Sequence, residues 1–401
     1  MTNTTSQAEP EPAPLDFSDT KIAFSSKSDK ELKDTRWLFR MMNKSWMVNL
    51  GSKLGVIAVK LNLPFAKAIV RSTIFKQFCG GENLLDCQES IDLLYKHDVL
   101  TMLDYGAEGK NSDEELDKVM DEIVRAVEFA ASNNSVPVST VKMSGLSANA
   151  LLEKAQKGEP LDDGEKEDWE QMMERITTIC DRAYELGVGI FIDAEESWIQ
   201  IAIDDIATQM MAKYNQEKVI VYNTYQLYRH DKLAQVKKDH QIAKQEGYLL
   251  GAKLVRGAYM DKERERAQEM GYESPIQPDK KSTDRDFDLA LEYCADHYEE
   301  ISFCCASHNA NSNQLLAQII EDRNLDKTHR HLNFCQLYGM SDNITFNLAA
   351  SGFNVGKYVV YGPIEEVVPY LVRRAEENSS VTGDMSRELK MIEEEVSRRG
   401  I

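Results

Sequence analysis

Residues 165–197 read EKEDWEQMMERITTICDRAYELGVGIFIDAEES. Two periodicities meet in this stretch. Over 165–186, apolar and charged residues alternate with the spacing of an amphipathic helix. Over 189–193, GIFID is apolar until its final carboxylate. A strand with no polar alternation is buried on both faces, as in a parallel sheet covered by helices. The unit recurs along the chain. Further strand candidates lie at 99–104, 138–142, 219–225, 250–255, 302–307, 332–336 and 357–360, with helical stretches at 113–132, 284–298 and 313–321 among those between them. Eight such units predict a (βα)8 TIM-like barrel over residues 97–380, although some doubly wound sheets give a similar pattern.

Polar residues cluster where these strands end: Lys142, DAEE at 193–196, Gln226, RGAY at 256–259, SHN at 307–309 and YG at 361–362. In a barrel those ends converge on one face, where active sites form. Lys142 ends an apolar run, so it is read as a lysine reaching solvent, a carboxylate partner or a Schiff-base amine. Asp193 closes a buried strand and needs a partner, at least a structural ion pair. Lys253 and Arg256 flank an apolar pair, and Gly257 after them permits close backbone approach to a ligand. No GxGxxG turn or Walker loop is present. His308 has no second histidine at ligand spacing and no Cys/His cluster beside it, so no metal site is expected.

A second feature is YLVRR at 370–374. Tyr370, Arg373 and Arg374 stand at i, i+3 and i+4 and share one helix face, opposite a stripe of Val367, Val368, Leu371, Val372 and Ala375. Paired guanidiniums can clamp a carboxylate with planar, bidentate contacts. Taken alone, these residues read first as a solvated helix face.

The chain has 401 residues and a formal net charge of −20, which disfavours nucleic acid as a partner. Its seven cysteines include no CxxC pair, as expected of a reduced intracellular protein. Residues 1–20 begin MTNTTSQAEPEPAP and are read as a disordered acidic tail, with neither a secretory signal nor a transit peptide in it. No acidic residue occurs between Asp34 and Glu82, where Arg36, Arg40, Lys44, Lys53, Lys60, Lys67, Arg71 and Lys76 are interleaved with Trp37, Trp46, Phe65 and other aromatics. Residues 21–96 are therefore expected to form a basic helical arm that packs on the barrel and offers a membrane-docking face. Residues 381–401 are expected to add a C-terminal helix.

Several motifs occur in one order: LDYGAE (103–108), VKMSGL (141–146), IDAEE (192–196), YNTYQ (222–226), KLVRGAYM (253–260), ASHN (306–309), QLYGM (336–340) and KYVVYGPIEEVVPYLVRRAEENSS (357–380). On these the chain resembles the proline dehydrogenase family from about Phe78 to its C-terminus, and KLVRGAY with the last run resembles monofunctional, eukaryotic-type members. The resemblance implies a (βα)8 barrel whose last helix lies over the mouth, with FAD held non-covalently at the C-terminal face of the strands. It implies oxidation of L-proline to Δ1-pyrroline-5-carboxylate by hydride transfer to flavin N5, with electrons then passed to a membrane quinone, as the first step of proline catabolism to glutamate. The host decides the implied location: peripheral on the inner face of a bacterial cell membrane, or on the matrix side of the mitochondrial inner membrane.

Residue by residue, the resemblance implies that Lys142, Arg373 and Arg374 bind the proline carboxylate. Leu337, Tyr358 and Tyr370 would shape the pocket, and Asp193 would lie near Tyr358 and hold the site in place. Glu108 would gate the pocket by pairing with the first arginine. Ala194, Gln226, Lys253, Arg256, Gly257, Ala258, Thr283, Ser307 and His308 match cofactor positions. The chain departs from many bacterial members in carrying Lys253 where they have arginine and Arg256 where they have lysine. A hydroxyproline dehydrogenase is the sister alternative, which Tyr358 disfavours because that position tends to be smaller there. A Schiff-base aldolase using Lys142 and a non-catalytic membrane scaffold are the other readings.

Overall fold

The computed structural model describes residues 13–44, 48, 64–107, 109–110, 112–380 and 384–401. Its strands are β1 (Cys79–Gly81), β2 (Leu100–Tyr105), β3 (Val138–Val141), β4 (Gly189–Ile192), β5 (Val221–Gln226), β6 (Leu250–Val255), β7 (Ile301–Ala306), β8 (Leu332–Leu337) and β9 (Val355–Tyr361). From β2 to β9 each strand pairs in parallel with the next, and β9 returns to β2 with Tyr358 opposite Met102. The sheet is thus a closed eight-stranded barrel, and every expected strand is present. β1 was not expected. Its CGG carries no apolar run, and it simply extends the barrel wall by pairing Cys79 with Val360 at the end of β9.

The stretch around 165–197 explains how one unit forms. The helix Asp163–Leu186 starts in a capping box, with the Asp162 side chain accepting from Glu165 N at 2.9 Å and the Glu165 side chain accepting from Asp162 N at 2.8 Å. It stops at Gly187, whose φ of 74° is the left-handed conformation that closes a helix and that glycine adopts without strain. Ile176 and Ile179 then pack with Ile190 and Ile192 in the layer between strands and helices. Each such fully buried aliphatic side chain contributes about 2 kcal/mol.

A second apolar cluster fills the barrel interior and continues above its mouth. Met102, Phe191, Cys304, Cys335 and Tyr358 point inward, and the cluster extends to Val367 and Leu371 of the last barrel helix, Ile364–Ser380. It reaches Leu32 and Phe39 of the helix Asp29–Met42 and Ile392 and Val396 of the C-terminal helix Asp384–Arg399. The last barrel helix therefore lies over the mouth, held down by the arm and the C-terminal helix. All seven cysteines are buried and unbridged.

Two boundaries need correction. Residues 13–20 are not a free tail: Ala13 N donates to Ala350 O at 3.0 Å, and Leu15 and Phe17 pack against the core, because these apolar side chains find a surface on the barrel. Residues 1–12 lie outside the described residues. The helix Leu84–Tyr95, expected in the arm, belongs to the barrel wall, since Cys87, Ile91 and Leu94 enter its core. Within the arm, Lys53, Lys60 and Trp46 fall outside the described residues. Four of the other basic residues face acids of the same chain: Arg40 and Arg36 pair with Glu393 at 2.5 and 3.7 Å, Lys67 with Glu365, and Arg71 with Glu82. No helix among the described residues is long and apolar enough to cross a membrane.

Glu388 anchors the C-terminal helix to the turn after β8 by accepting from Ser341 N at 2.5 Å. Burial pushes its carboxyl up to about 7, helped by the charge of Asp342 and opposed by the Ser341 N–H and by Lys357. A carboxyl whose folded value is raised binds its proton more tightly in the native state. Its contribution is full below the unfolded value and is lost as pH rises through 7. Glu388→Gln is accordingly expected to flatten the fall in stability between pH 5 and 7.5, as read by urea denaturation across that range.

Candidate active site

The C-terminal strand ends enclose a cavity of about 330 Å3, a size suited to a small molecule. Two buried acids organise its floor. Asp104, in β2, receives Lys142 Nζ on both carboxylate oxygens at 2.7 Å and Thr140 Oγ1 at 2.6 Å. Asp193, just after β4, receives Lys253 Nζ from β6 on one oxygen and, on the other, the Tyr358 hydroxyl from β9 at 2.6 Å. The two pairs touch, because Lys142 Nζ lies 3.9 Å from Asp193 Oδ2. Lys253 also sits 4.9 Å from the Tyr358 ring centre and 5.2 Å from that of Phe191, in cation–π range of both.

The two acids are shifted in opposite directions. Burial works to raise the Asp193 carboxyl, but the charges of Lys253 and Lys142 and the hydrogen bonds from Lys253 and Tyr358 outweigh it and hold it below the ordinary carboxylate value. Burial raises the Asp104 carboxyl, and the charge of Asp193 adds to that against the pull of Lys142. Burial, then the charges of Asp104 and Asp193, push the Tyr358 phenol well up, so it stays a donor at neutral pH.

One wall is built from the turn after β6. Arg256 is fixed by Asp284 at 2.8 Å, Ser307 Oγ at 2.7 Å and Ser312 Oγ at 2.9 Å, and stacks 4.3 Å from the Phe287 ring. Gly257 has φ of 139°, and a Cβ there would lie 2.4 Å from the Tyr228 ring, so only glycine fits. Ala258, Ser307 and His308 continue this wall, Ala194 and Gln226 line the adjoining one, and the lid contributes Tyr370, Arg373 and Arg374 opposite Leu337. The lining thus sets Lys142, Lys253, Arg256, Lys280, Arg373 and Arg374 against Asp104 and Asp193, a cationic pocket in a chain of net charge −20.

Of the residues singled out from sequence, one among the described residues does not join this cavity. Thr283 lies in the first turn of the helix Lys280–Asp296, its hydroxyl donating to Asp279 O at 3.3 Å, and only Lys280 of that turn lines the pocket. Thr283 is buried within that turn and does not line the cavity. Glu108 lies outside the described residues. Asp104, Thr140 and Thr224 were missed. The readable signal for Asp104 was an acid placed like Asp193, at the end of an apolar strand in LDYGAE. Thr140 and Thr224 carry no such mark, since threonine is an ordinary strand residue.

In closed parallel barrels the strand ends are where active sites form, and the cationic cavity under the helical lid suits a small anionic ligand. The proline dehydrogenase model matches residues 87–387. The chain is 32% identical to proline dehydrogenase 1, mitochondrial, of Dictyostelium discoideum, over 95% of this chain and 74% of that protein. It is 31% identical to the carbapenem antibiotics biosynthesis protein CarD of Pectobacterium carotovorum subsp. carotovorum, over 87% of this chain and 91% of that protein. The crystal structure of proline utilization A from Bdellovibrio bacteriovorus, inactivated by N-propargylglycine, superposes with a TM-score of 0.73 at 21% identity, over 96% of this chain and 40% of that one. This chain spans less than half of that structure's length, and at such identity the likeness is one of fold. The chain belongs to the proline dehydrogenase family, oxidoreductases that act on proline, and membership implies a flavin cofactor.

The cavity fits such a group. Gln226 Oε1 and Thr224 Oγ1 are buried in its lining with no hydrogen-bond partner among the described residues. Orphaned polar atoms of this kind are satisfied when a ligand with polar ring edges is bound.

The Asp104–Lys142 pair is nearly dry, so removing one partner leaves a buried charge exposed to low dielectric. Asp104→Asn is expected to cost about 3–5 kcal/mol. Thr140→Val, which deletes one neutral donor, is expected to cost about 1 kcal/mol. Chemical denaturation of the two variants beside the parent separates these outcomes.

Proposed function

We propose that the cavity holds FAD and that L-proline is oxidised there to Δ1-pyrroline-5-carboxylate, with the electrons leaving to a membrane quinone. One observation carries the reading: Lys142, Arg373 and Arg374 line the same cavity as the Asp193–Lys253–Tyr358 network. Arg373 and Arg374 supply two guanidiniums from the lid for the substrate carboxylate, with Lys142 contributing a third cation from the floor. Leu337, Tyr358 and Tyr370 provide apolar and aromatic surface for the pyrrolidine ring. Arg256, Gln226, Ser307 and His308 would hold the cofactor, together with the backbone at Gly257 and Ala258. Bound flavin supplies the two-electron acceptor for the C–H bond beside the ring nitrogen.

Asp193 is an organiser in this scheme and not a general base. Both its oxygens are already engaged, one by Lys253 and one by Tyr358, and its carboxyl is held ionised. Its role is to fix the Tyr358 ring and the Lys253 ammonium beside the cofactor. Lys253, a compact donor, contributes charge at that position without the bidentate reach of arginine. Oxidation requires the proline amine to be neutral, so turnover rises with pH as that amine loses its proton. The last barrel helix lies over the mouth, and shielding from water there strengthens the carboxylate clamp.

The reaction half that involves proline is tested by the visible spectrum of the purified, cofactor-loaded protein before and after adding L-proline without an electron acceptor. Bleaching of the flavin bands is the expected outcome. A colourless protein, or bands unmoved by L-proline but bleached by trans-4-hydroxy-L-proline, would sink the assignment.

A quinone acceptor requires the enzyme to visit a bilayer. The arm offers Trp37, Phe65 and Ile69 at 55, 82 and 63% exposure, with Lys67 and Arg71 on the same stretch although each is paired with an acid of this chain, a mainly apolar face with basic residues at its edge. The Dictyostelium relative's name places it in the mitochondrion, and a peripheral site on an inner membrane is the corresponding location proposed here. Co-sedimentation with anionic vesicles is expected to be salt-sensitive and to fall several-fold in a Phe65→Ser, Ile69→Ser double variant. Equal sedimentation of variant and parent would remove the docking face.

A further inference from the structure

The run QLYGMSD, residues 336–342, carries the chain from β8 into the helix Asp342–Ala350. Ser341 sits in its turn at φ of 51°, a left-handed conformation that serine rarely adopts, and it is buried. Its hydroxyl lies 2.9 Å from Nδ1 of His308 in the cavity wall. The same hydroxyl donates to Oε1 of Glu388 at 3.2 Å, and the Ser341 backbone N–H donates to that oxygen at 2.5 Å. The neighbouring Asp342 fixes the turn from the other side through Lys357 at 2.9 Å and Lys27 at 3.4 Å. A carboxylate on the C-terminal helix is thus linked, through one strained serine, to a histidine at the cofactor cavity.

We propose that Ser341 and Glu388 are positioning residues that set the tautomer of His308 and thereby the strength with which the cavity binds flavin. The proposal rests on the flavin reading given above. Oε1 of Glu388 already accepts from the Ser341 N–H, so it stays an acceptor whether or not the other oxygen carries a proton, and it commits the Ser341 hydrogen to itself. A hydroxyl committed in that way can only accept from His308, which places the ring proton on Nδ1 and leaves Nε2 without it. Without the carboxylate, the hydroxyl is free to turn and donate to Nδ1, and the ring hydrogen moves to Nε2. A histidine that offers a ligand a donor in one case and an acceptor in the other is a different wall for the same cavity. Partners behind a ligating histidine fix its tautomer in this manner at metal sites, and the physics is the same here. The left-handed serine supports the reading, because glycine would occupy that turn more readily and only the hydroxyl gives serine a purpose there.

Three variants separate the linkage from simple anchoring of the helix. Ser341→Gly suits the observed φ and keeps the backbone N–H, so it retains the fold while deleting the hydroxyl. Glu388→Ala deletes the acceptor, and Glu388→Gln keeps an acceptor oxygen in place. Titration of the apoproteins with FAD, followed by quenching of flavin fluorescence, is expected to show the dissociation constant raised about tenfold in S341G and E388A and changed less than about twofold in E388Q. In the oxidised holoproteins labelled with 15N-histidine, the ring correlation of His308 is expected at Nδ1–H in the parent and E388Q and at Nε2–H in S341G and E388A. Should E388A fail to fold, S341G decides alone. Parent-like affinity and tautomer in S341G would overturn the proposal while leaving the flavin reading intact. A parent protein that takes up no FAD would instead sink the flavin reading, and this proposal with it.

Discussion

A buried carboxylate governs the mouth of this barrel. Asp193 is carried into a site with little water by a strand that is apolar on both faces, and an ion so placed costs several kcal/mol unless it is fully partnered. Its partners come from strands remote in sequence: Lys253 on β6 and Tyr358 on β9. Satisfying one carboxylate therefore ties three strand ends together across the barrel. Asp104 repeats the arrangement with Lys142 and Thr140, and contact between Lys142 and Asp193 makes one network of the two. The charge balance of the cavity, the orientation of Tyr358 and the position of Lys253 all follow from that network.

The lid is the second structural condition. In an ordinary barrel, the face carrying Tyr370, Arg373 and Arg374 would point outward. Here the apolar face of the last helix rests on a cluster shared with Phe39 of the arm and Ile392 of the C-terminal helix, so the polar face turns into the mouth. The basic arm is spent partly on this packing. Arg36 and Arg40 reach Glu393, and Lys67 reaches Glu365, so charges that looked like a free basic surface in the sequence brace the lid assembly instead. What remains free for a bilayer is mainly the apolar part, Phe65 and Ile69.

Legibility followed from how local each signal was. The eight barrel strands were readable because parallel strands buried on both faces leave uninterrupted apolar runs, and the polar residues ending them were readable because the barrel places them on one face. β1 was not, since three residues of CGG contain no pattern and pair only because β9 overhangs β8. Asp193 was readable as an acid in need of a partner, but the identity of that partner was not. Asp104 carried the same signal, an acid at the end of an apolar strand, but its lysine partner after the next strand was not readable. Thr283 shows the converse: a residue one turn from a cavity-lining lysine is itself buried and does not line the cavity.

The amino-acid sequence by itself determined the barrel, the order of its units, the family and most of the residues around the cavity. These depend on hydrophobic periodicity and on motifs contained within single elements, which survive without knowledge of neighbours. Only the tertiary structure decided which acid meets which cation, where the paired arginines point, that the arm braces the lid, and that Ser341 joins Glu388 to His308. Each of those joins residues far apart along the chain. Their energies arise from burial and short-range hydrogen bonding, which act only once the strands and helices have been brought within a few ångströms of one another.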